Sequence, residues 1–105
     1  MNNWNNKDSK DLFRAILRLK NENEARRFFR DLLTEQEIIE FGSRWKAAKM
    51  LDAKVPYTKI SAATGLSSRT VARISKWLNS GMGGYKIMLN ELHHQGVDSF
   101  EKKLP

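Results

Sequence analysis

The chain has 105 residues, 19 Lys and Arg against 12 Asp and Glu, a formal net charge of +7 and no cysteine. That length suits one domain whose modest core can need a partner to complete it. The composition excludes disulfides, thiolate metal sites and cysteine nucleophiles, and no apolar run approaches the ~18 residues of a membrane span. The polar start, Met1 to Asn6, is not a signal peptide, so the expected location is cytoplasmic, with no membrane.

Residues 1–7 read as a flexible N-terminal tail, with Trp4 available to dock on the core or on a second chain. Asp8-Ser9-Lys10-Asp11 then opens a helix with acids where the dipole favours them. Leu12, Phe13, Ile16, Leu17 and Leu19 give it a wide apolar face, which Asn21 and Asn23 interrupt. A second helix from about Glu24 turns Ala25, Phe28, Phe29, Leu32 and Leu33 inward. Two short helices with this much bulky apolar surface pack on something larger than themselves.

Thr34-Glu35-Gln36-Glu37 has the form of a capping box, in which the threonine and the glutamate satisfy each other's backbone N–H. The third helix runs on to about Ala53, with Ile38, Phe41, Trp45, Ala48 and Leu51 at steps of three and four. Gly42 lies near the same face and costs the helix about 1 kcal/mol relative to alanine, which suggests close approach of another helix. Val55-Pro56 ends the segment, because proline disfavours helix at the residue before it.

Tyr57 to Leu78 reads as two short helices around Gly65. In the first, Ile60 and the small pair Ala62 and Ala63 are the inward positions. Gly65 stops it in the left-handed conformation, Leu66 is an apolar plug, and Ser67 caps the next helix. That helix sets Val71, Ile74 and Leu78 on one face with Trp77 beside them, leaving Ser68, Arg69, Ala72, Arg73 and Lys76 towards the other. Such a pair fits a helix-turn-helix that lays its second helix in a DNA major groove; an ordinary helical hairpin with a solvated basic face is the plainer reading.

Asn79 to Gly84 is a flexible connection. It superficially resembles a phosphate-cradling loop, but no strand precedes it. A last helix starts near Tyr85, sets Met88, Leu89 and Leu92 on one face and stops before Gly96. His93 and His94 are adjacent, about 100° apart on a helix, and cannot chelate one metal as an i, i+4 pair could. Solvated or rim histidines are the expectation, with no metal and no cofactor. Residues 8–96 thus form one all-α domain of six short helices, and 97–105 form a C-terminal tail.

Charge is segregated along the chain. Arg44, Lys46, Lys49, Lys54, Lys59, Arg69, Arg73, Lys76 and Lys86 face one acid, Asp52, between residues 44 and 86, a local charge of +8 that leaves −1 for the rest. The excess sits around the two short helices, as a phosphate-binding footprint requires. No acid–base constellation emerges, so an enzyme is not expected.

Leu33-Thr34-Glu35-Gln36-Glu37, Phe41-Gly42-Ser43-Arg44, then Ile60, Gly65, Thr70 and Arg73, and finally Ser80-Gly81-Met82-Gly83-Gly84-Tyr85, together resemble the Trp repressor family over about residues 10–95. The glycine-rich run is similar to its YerC/YecD-type branch of Gram-positive bacteria. The resemblance implies six helices with the helix-turn-helix as helices 4 and 5, in an intertwined homodimer that reads double-stranded DNA. It also implies a ligand site: in tryptophan-binding members two arginines sandwich an indole, matched here by Arg44 and Arg73, with Thr34 matching a threonine. The pattern then departs. Ile74 and Trp77 stand where those members have glycine and serine, either bulky enough to fill the slot, so free tryptophan is not the expected ligand. The arginines are then left for phosphate, or for ion pairs with Glu37, Glu40 or Asp52.

The function expected is sequence-specific transcriptional regulation by a dimer. Arg69 and Arg73 suit guanine, whose O6 and N7 match the guanidinium fork. Ser67 caps the reading helix beside the DNA; Ser68 and Thr70 reach bases or phosphates from its start; Thr58, Lys59 and Lys76 clamp phosphate. The alternative is a helix-turn-helix interaction module that binds a protein partner, or nucleic acid nonspecifically.

Overall fold

The structure is a computed structural model describing residues 3–103, with side chains described through residue 94. It contains six helices: α1 (Lys7–Ile16), α2 (Glu22–Leu32), α3 (Glu35–Asp52), α4 (Tyr57–Thr64), α5 (Ser68–Ser80) and α6 (Gly84–Lys103). Among the described residues there is no strand, and no helix is long and apolar enough to cross a membrane. The chain divides into two compact units, Met1–Ile39 and Glu40–Pro105.

In the first unit the helix starts are set by asparagines. Asn6 Oδ1 accepts from the Ser9 N–H at 2.9 Å while the Asn6 N–H donates to Ser9 Oγ at 2.9 Å, so α1 begins at Lys7, inside the stretch read as tail. Asn21, read as an interruption, is the cap of α2: its Oδ1 accepts from the Glu24 N–H at 2.9 Å. The α3 box forms as expected, with the Thr34 N–H to Glu37 Oε1 at 2.9 Å and the Glu37 N–H to Thr34 Oγ1 at 3.1 Å. Hydrogen bonds from the Thr34 backbone and then its hydroxyl hold the Glu37 carboxyl below the usual carboxylate range. Yet no residue of α1 or α2 is buried, and Leu17, just past α1, is 82% exposed.

The second unit holds the core. Ala47, Ala48 and Leu51 of α3, Ile60 of α4, Val71, Ile74 and Leu78 of α5, and Leu89 of α6 are buried together. Trp45 and Tyr85 stack with ring centres 6.2 Å apart, joining α3 to α6. Small Ala47 and Ala48 beneath branched Ile60, Val71 and Ile74 let the short helices approach closely.

Several expected inward positions are corrected by this packing. Ala62 and Ala63 are exposed: the side of α4 that meets the core carries Ile60, Ser61 and Thr64, and Ala62 lies about 200° round from Ile60. Phe41, Met88 and Leu92 lie at the surface, because the core is closed by Ala47 and Leu89 and leaves them nothing to cover. Among the described residues a Cβ built on Gly42 meets nothing within 4 Å, so the close approach expected there is not seen. The last helix continues through Gly96 to Lys103; one glycine costs about 1 kcal/mol, too little to stop it. Of the predicted C-terminal tail, residues 104–105 lie outside the described residues.

Lys54 closes α3 in the left-handed region at φ 64°. The Val55 N–H donates to the Met50 carbonyl at 3.0 Å and the Lys54 N–H to the Leu51 carbonyl at 3.0 Å, the bonding of a Schellman-type end with lysine where glycine is favoured. This turn delivers the chain to Pro56 and the start of α4.

Candidate nucleic-acid interface

α4 and α5 are held at their turn by a short chain of hydrogen bonds. Gly65 takes φ 76° and its N–H donates to the Ser61 carbonyl at 2.9 Å. The Thr64 hydroxyl donates to the Ile60 carbonyl at 2.7 Å and accepts from the Leu66 N–H at 3.2 Å. Ser67 Oγ accepts from the Thr70 N–H at 3.1 Å and donates to Thr70 Oγ1 at 3.0 Å. Ser67 and the half-buried Thr70 are thereby engaged in starting α5. Buried Val71, Ile74 and Leu78 pin one face of that helix to the core.

The opposite face of α5 is a ridge of exposed Arg69, Ala72, Arg73 and Lys76, with exposed Ser68 at its start. Thr58 and Lys59, near the start of α4, are exposed as well. Of the nine Lys and Arg between residues 44 and 86, only Arg44 makes an ion pair among the described residues. Asp52, the one acid of that stretch, is turned to another partner: His93 Nε2 of α6 lies 3.0 Å from Asp52 Oδ2. His93, expected to be merely solvated, thus ties α6 to the last turn of α3 and engages the single acid of that stretch. Among the described residues eight cations are left without a carboxylate, the arrangement a polyanion can neutralise.

The two arginines expected at a ligand site each have an aromatic neighbour on their own helix. Arg44 Nη2 lies 2.9 Å from Glu40 Oε1 and its guanidinium carbon 6.0 Å from the Phe41 ring centre. Its Nε is buried without a hydrogen-bond partner. Burial pushes the Tyr85 phenol up, against the opposing pull of the Arg44 charge. The Arg73 guanidinium carbon lies 5.9 Å from the Trp77 ring centre. Thr34 is occupied with Glu37 in the capping box. Ile74, one of two residues expected to fill the slot, instead points into the core, fully buried; Trp77, 44% exposed, stays beside Arg73.

A groove of about 520 Å³ lies elsewhere, lined among others by Leu51, Lys54, Pro56, Asn79, Lys86 and Asn90. None of the residues expected to contact DNA or a ligand lines it. Among the described residues no cluster of His, Asp and Glu is placed to hold a metal ion.

The family model described as Trp repressor protein matches residues 7–93. YerC of Bacillus subtilis (strain 168) is 36% identical over 96 residues, which span 91% of this chain and 92% of YerC. A solved TrpR-like protein from Eubacterium eligens ATCC 27750 superposes with a TM-score of 0.81 at 37% identity, covering 86% of this chain and 93% of that one. A second solved chain, from Staphylococcus aureus, gives a TM-score of 0.78 at 33% identity, over 84% of this chain and 88% of that one.

Proposed function

The chain belongs to the Trp repressor family, and on that premise we propose that it is a dimeric, cytoplasmic, sequence-specific DNA-binding transcriptional regulator. The observation that carries the reading is the uncompensated charge: the exposed face of α5 bears Arg69, Arg73 and Lys76, none of them in an ion pair among the described residues. Arg69 and Arg73 read base edges, and guanine suits their forked donors. Ser68 contacts base or phosphate at the helix start. Thr58, Lys59 and Lys76 hold phosphates and so fix position rather than sequence. Ser67 and Thr70 act mainly by capping α5, bringing its N-terminal N–H groups to the DNA.

The domain of residues 8–96 is complete only as a homodimer. Exposed Phe13, Leu17 and Leu32, with no buried residue in α1 or α2, support this. Two reading heads also recognise a pseudo-palindrome where one recognises few base pairs. Free tryptophan is not the effector, and the chain acts without a cofactor or metal. No enzymatic role is assigned to it.

Titration of labelled duplexes across a salt series, with unrelated DNA as competitor, tests the reading. The regulator predicts a steep fall of affinity with salt and poor competition by unrelated DNA. Equal competition by every duplex would favour the interaction module instead.

A further inference from the structure

Arg73 differs from Arg69 in what surrounds it. Both project from the exposed face of α5, and neither makes an ion pair or a side-chain hydrogen bond among the described residues. Arg73 alone of the two has a ring beside it: its guanidinium carbon lies 5.9 Å from the centre of the Trp77 indole, one turn further along the helix. Trp77 precedes the buried Leu78 in the chain and is itself 44% exposed. It flanks the basic ridge rather than filling the core.

We propose that Trp77 is a positioning residue for Arg73, and that it sets specificity at the base Arg73 reads. The proposal rests on the DNA-binding reading above. The chemistry of the contact is the reason. A carboxylate that held Arg73 would occupy its N–H donors and cancel its charge. An indole face attracts the cation through the ring quadrupole and takes none of the five donors. The side chain is thus restrained while its charge and its forked edge stay available for O6 and N7 of guanine. An arginine on an exposed helix otherwise loses rotamer freedom when it binds. Part of that ordering is already done in the free protein. Arg69, with no ring beside it, carries the full ordering cost and contributes less discrimination per contact. Because the ring is part of the chain, the restraint operates with no ligand present.

A double-mutant cycle on the full-length protein tests this, with affinities for a preferred duplex, for its single-base variants and for an unrelated duplex. Trp77→Leu keeps an apolar side chain and removes the π face. It is expected to weaken the preferred duplex by about two- to fivefold, the strength of an exposed cation–π contact. Binding to the unrelated duplex should be unchanged, and preference should narrow at one base position. Trp77→Phe should restore most of the loss. In an Arg73→Ala background Trp77→Leu should have no further effect, since the partner it positions is gone. An equal loss on preferred and unrelated DNA, or an undiminished loss in the Arg73→Ala background, would overturn the proposal and leave Trp77 a packing residue. A selective parent whose Trp77→Leu variant is unchanged would overturn the positioning role alone. A parent with no preference among duplexes would overturn the DNA-reading function and this inference together.

Discussion

Arg44 is bound to Glu40, one turn earlier on α3, at 2.9 Å. Of the three acids that could have engaged it, Glu37 is held by Thr34 and Asp52 by His93. The pairing matters because Arg44 and Arg73 are the two arginines that the resemblance to the Trp repressor family leads one to expect at an indole site. Here each is engaged on its own helix, Arg44 with Glu40 and Phe41, Arg73 with Trp77.

Free L-tryptophan is therefore expected to bind with no heat detectable at millimolar concentration, and to leave DNA affinity unchanged. Calorimetry and DNA titration with added tryptophan check this; a rise in DNA affinity would refute it. Opening the slot is best attempted with Trp77→Ser alone. Ile74 is core, and deleting it would cost about 2–5 kcal/mol of stability, confounding any ligand effect. Trp77→Ser should lower DNA affinity, with added indole restoring part of it.

The protein is expected to sediment as a dimer at micromolar concentration. Phe13 is 44%, Leu32 46% and Ile39 61% exposed, an apolar load that a second chain of the same sequence would cover. A compact, folded monomer at that concentration would contradict the dimer.

Two backbone positions should respond in opposite senses. Gly81 has no room for a side chain: a Cβ there would collide with the Trp77 carbonyl oxygen. Gly81→Ala should destabilise by about 1–3 kcal/mol in denaturant unfolding. Lys54 sits at φ 64°, where an L side chain carries a penalty of roughly 1–2 kcal/mol. Lys54→Gly should stabilise by about 0.5–1 kcal/mol after the glycine's greater unfolded entropy is offset. Equal and opposite failure of these signs would show that the turn geometry at either end of the helix-turn-helix is different.

Base reading and phosphate holding should separate by mutation. Arg69→Ala should cost about 1–3 kcal/mol on preferred DNA and relax choice at one position, if its contact is bidentate. Lys59→Ala should weaken all sequences alike and reduce the salt slope by about 1. The roles are wrongly assigned if Lys59→Ala changes the preferred sequence while Arg69→Ala does not.

The sequence revealed this molecule where the signal is local. The capping box at Thr34, the stop at Gly65, the Ser67 cap and the Val71, Ile74, Leu78 stripe depend on neighbours within one or two turns, and each forms. It was misleading where the outcome depends on what packs opposite. Ile60 is buried while Ala62 and Ala63 are not, although nothing within α4 distinguishes a covered apolar face from a bare one. The His93–Asp52 contact joins residues far apart in the chain, and no spacing rule announces it. Asn6 and Asn21 are legible in principle, since asparagine is among the best N-caps, but a polar asparagine fits a tail or a helix break as well as a helix start. Arg73 and Trp77 lie at i, i+4, so their contact could be foreseen from the sequence. Which of Ile74 and Trp77 would remain beside the arginine depended on the core.

Selection of bound duplexes from a random DNA pool distinguishes sequence-specific reading by a dimer from nonspecific binding. A dimeric reader should recover a pseudo-palindrome with half-sites about one helical turn apart, roughly 10–10.5 base pairs centre to centre. Recovery of no common sequence, with binding that depends on salt alone, would contradict it.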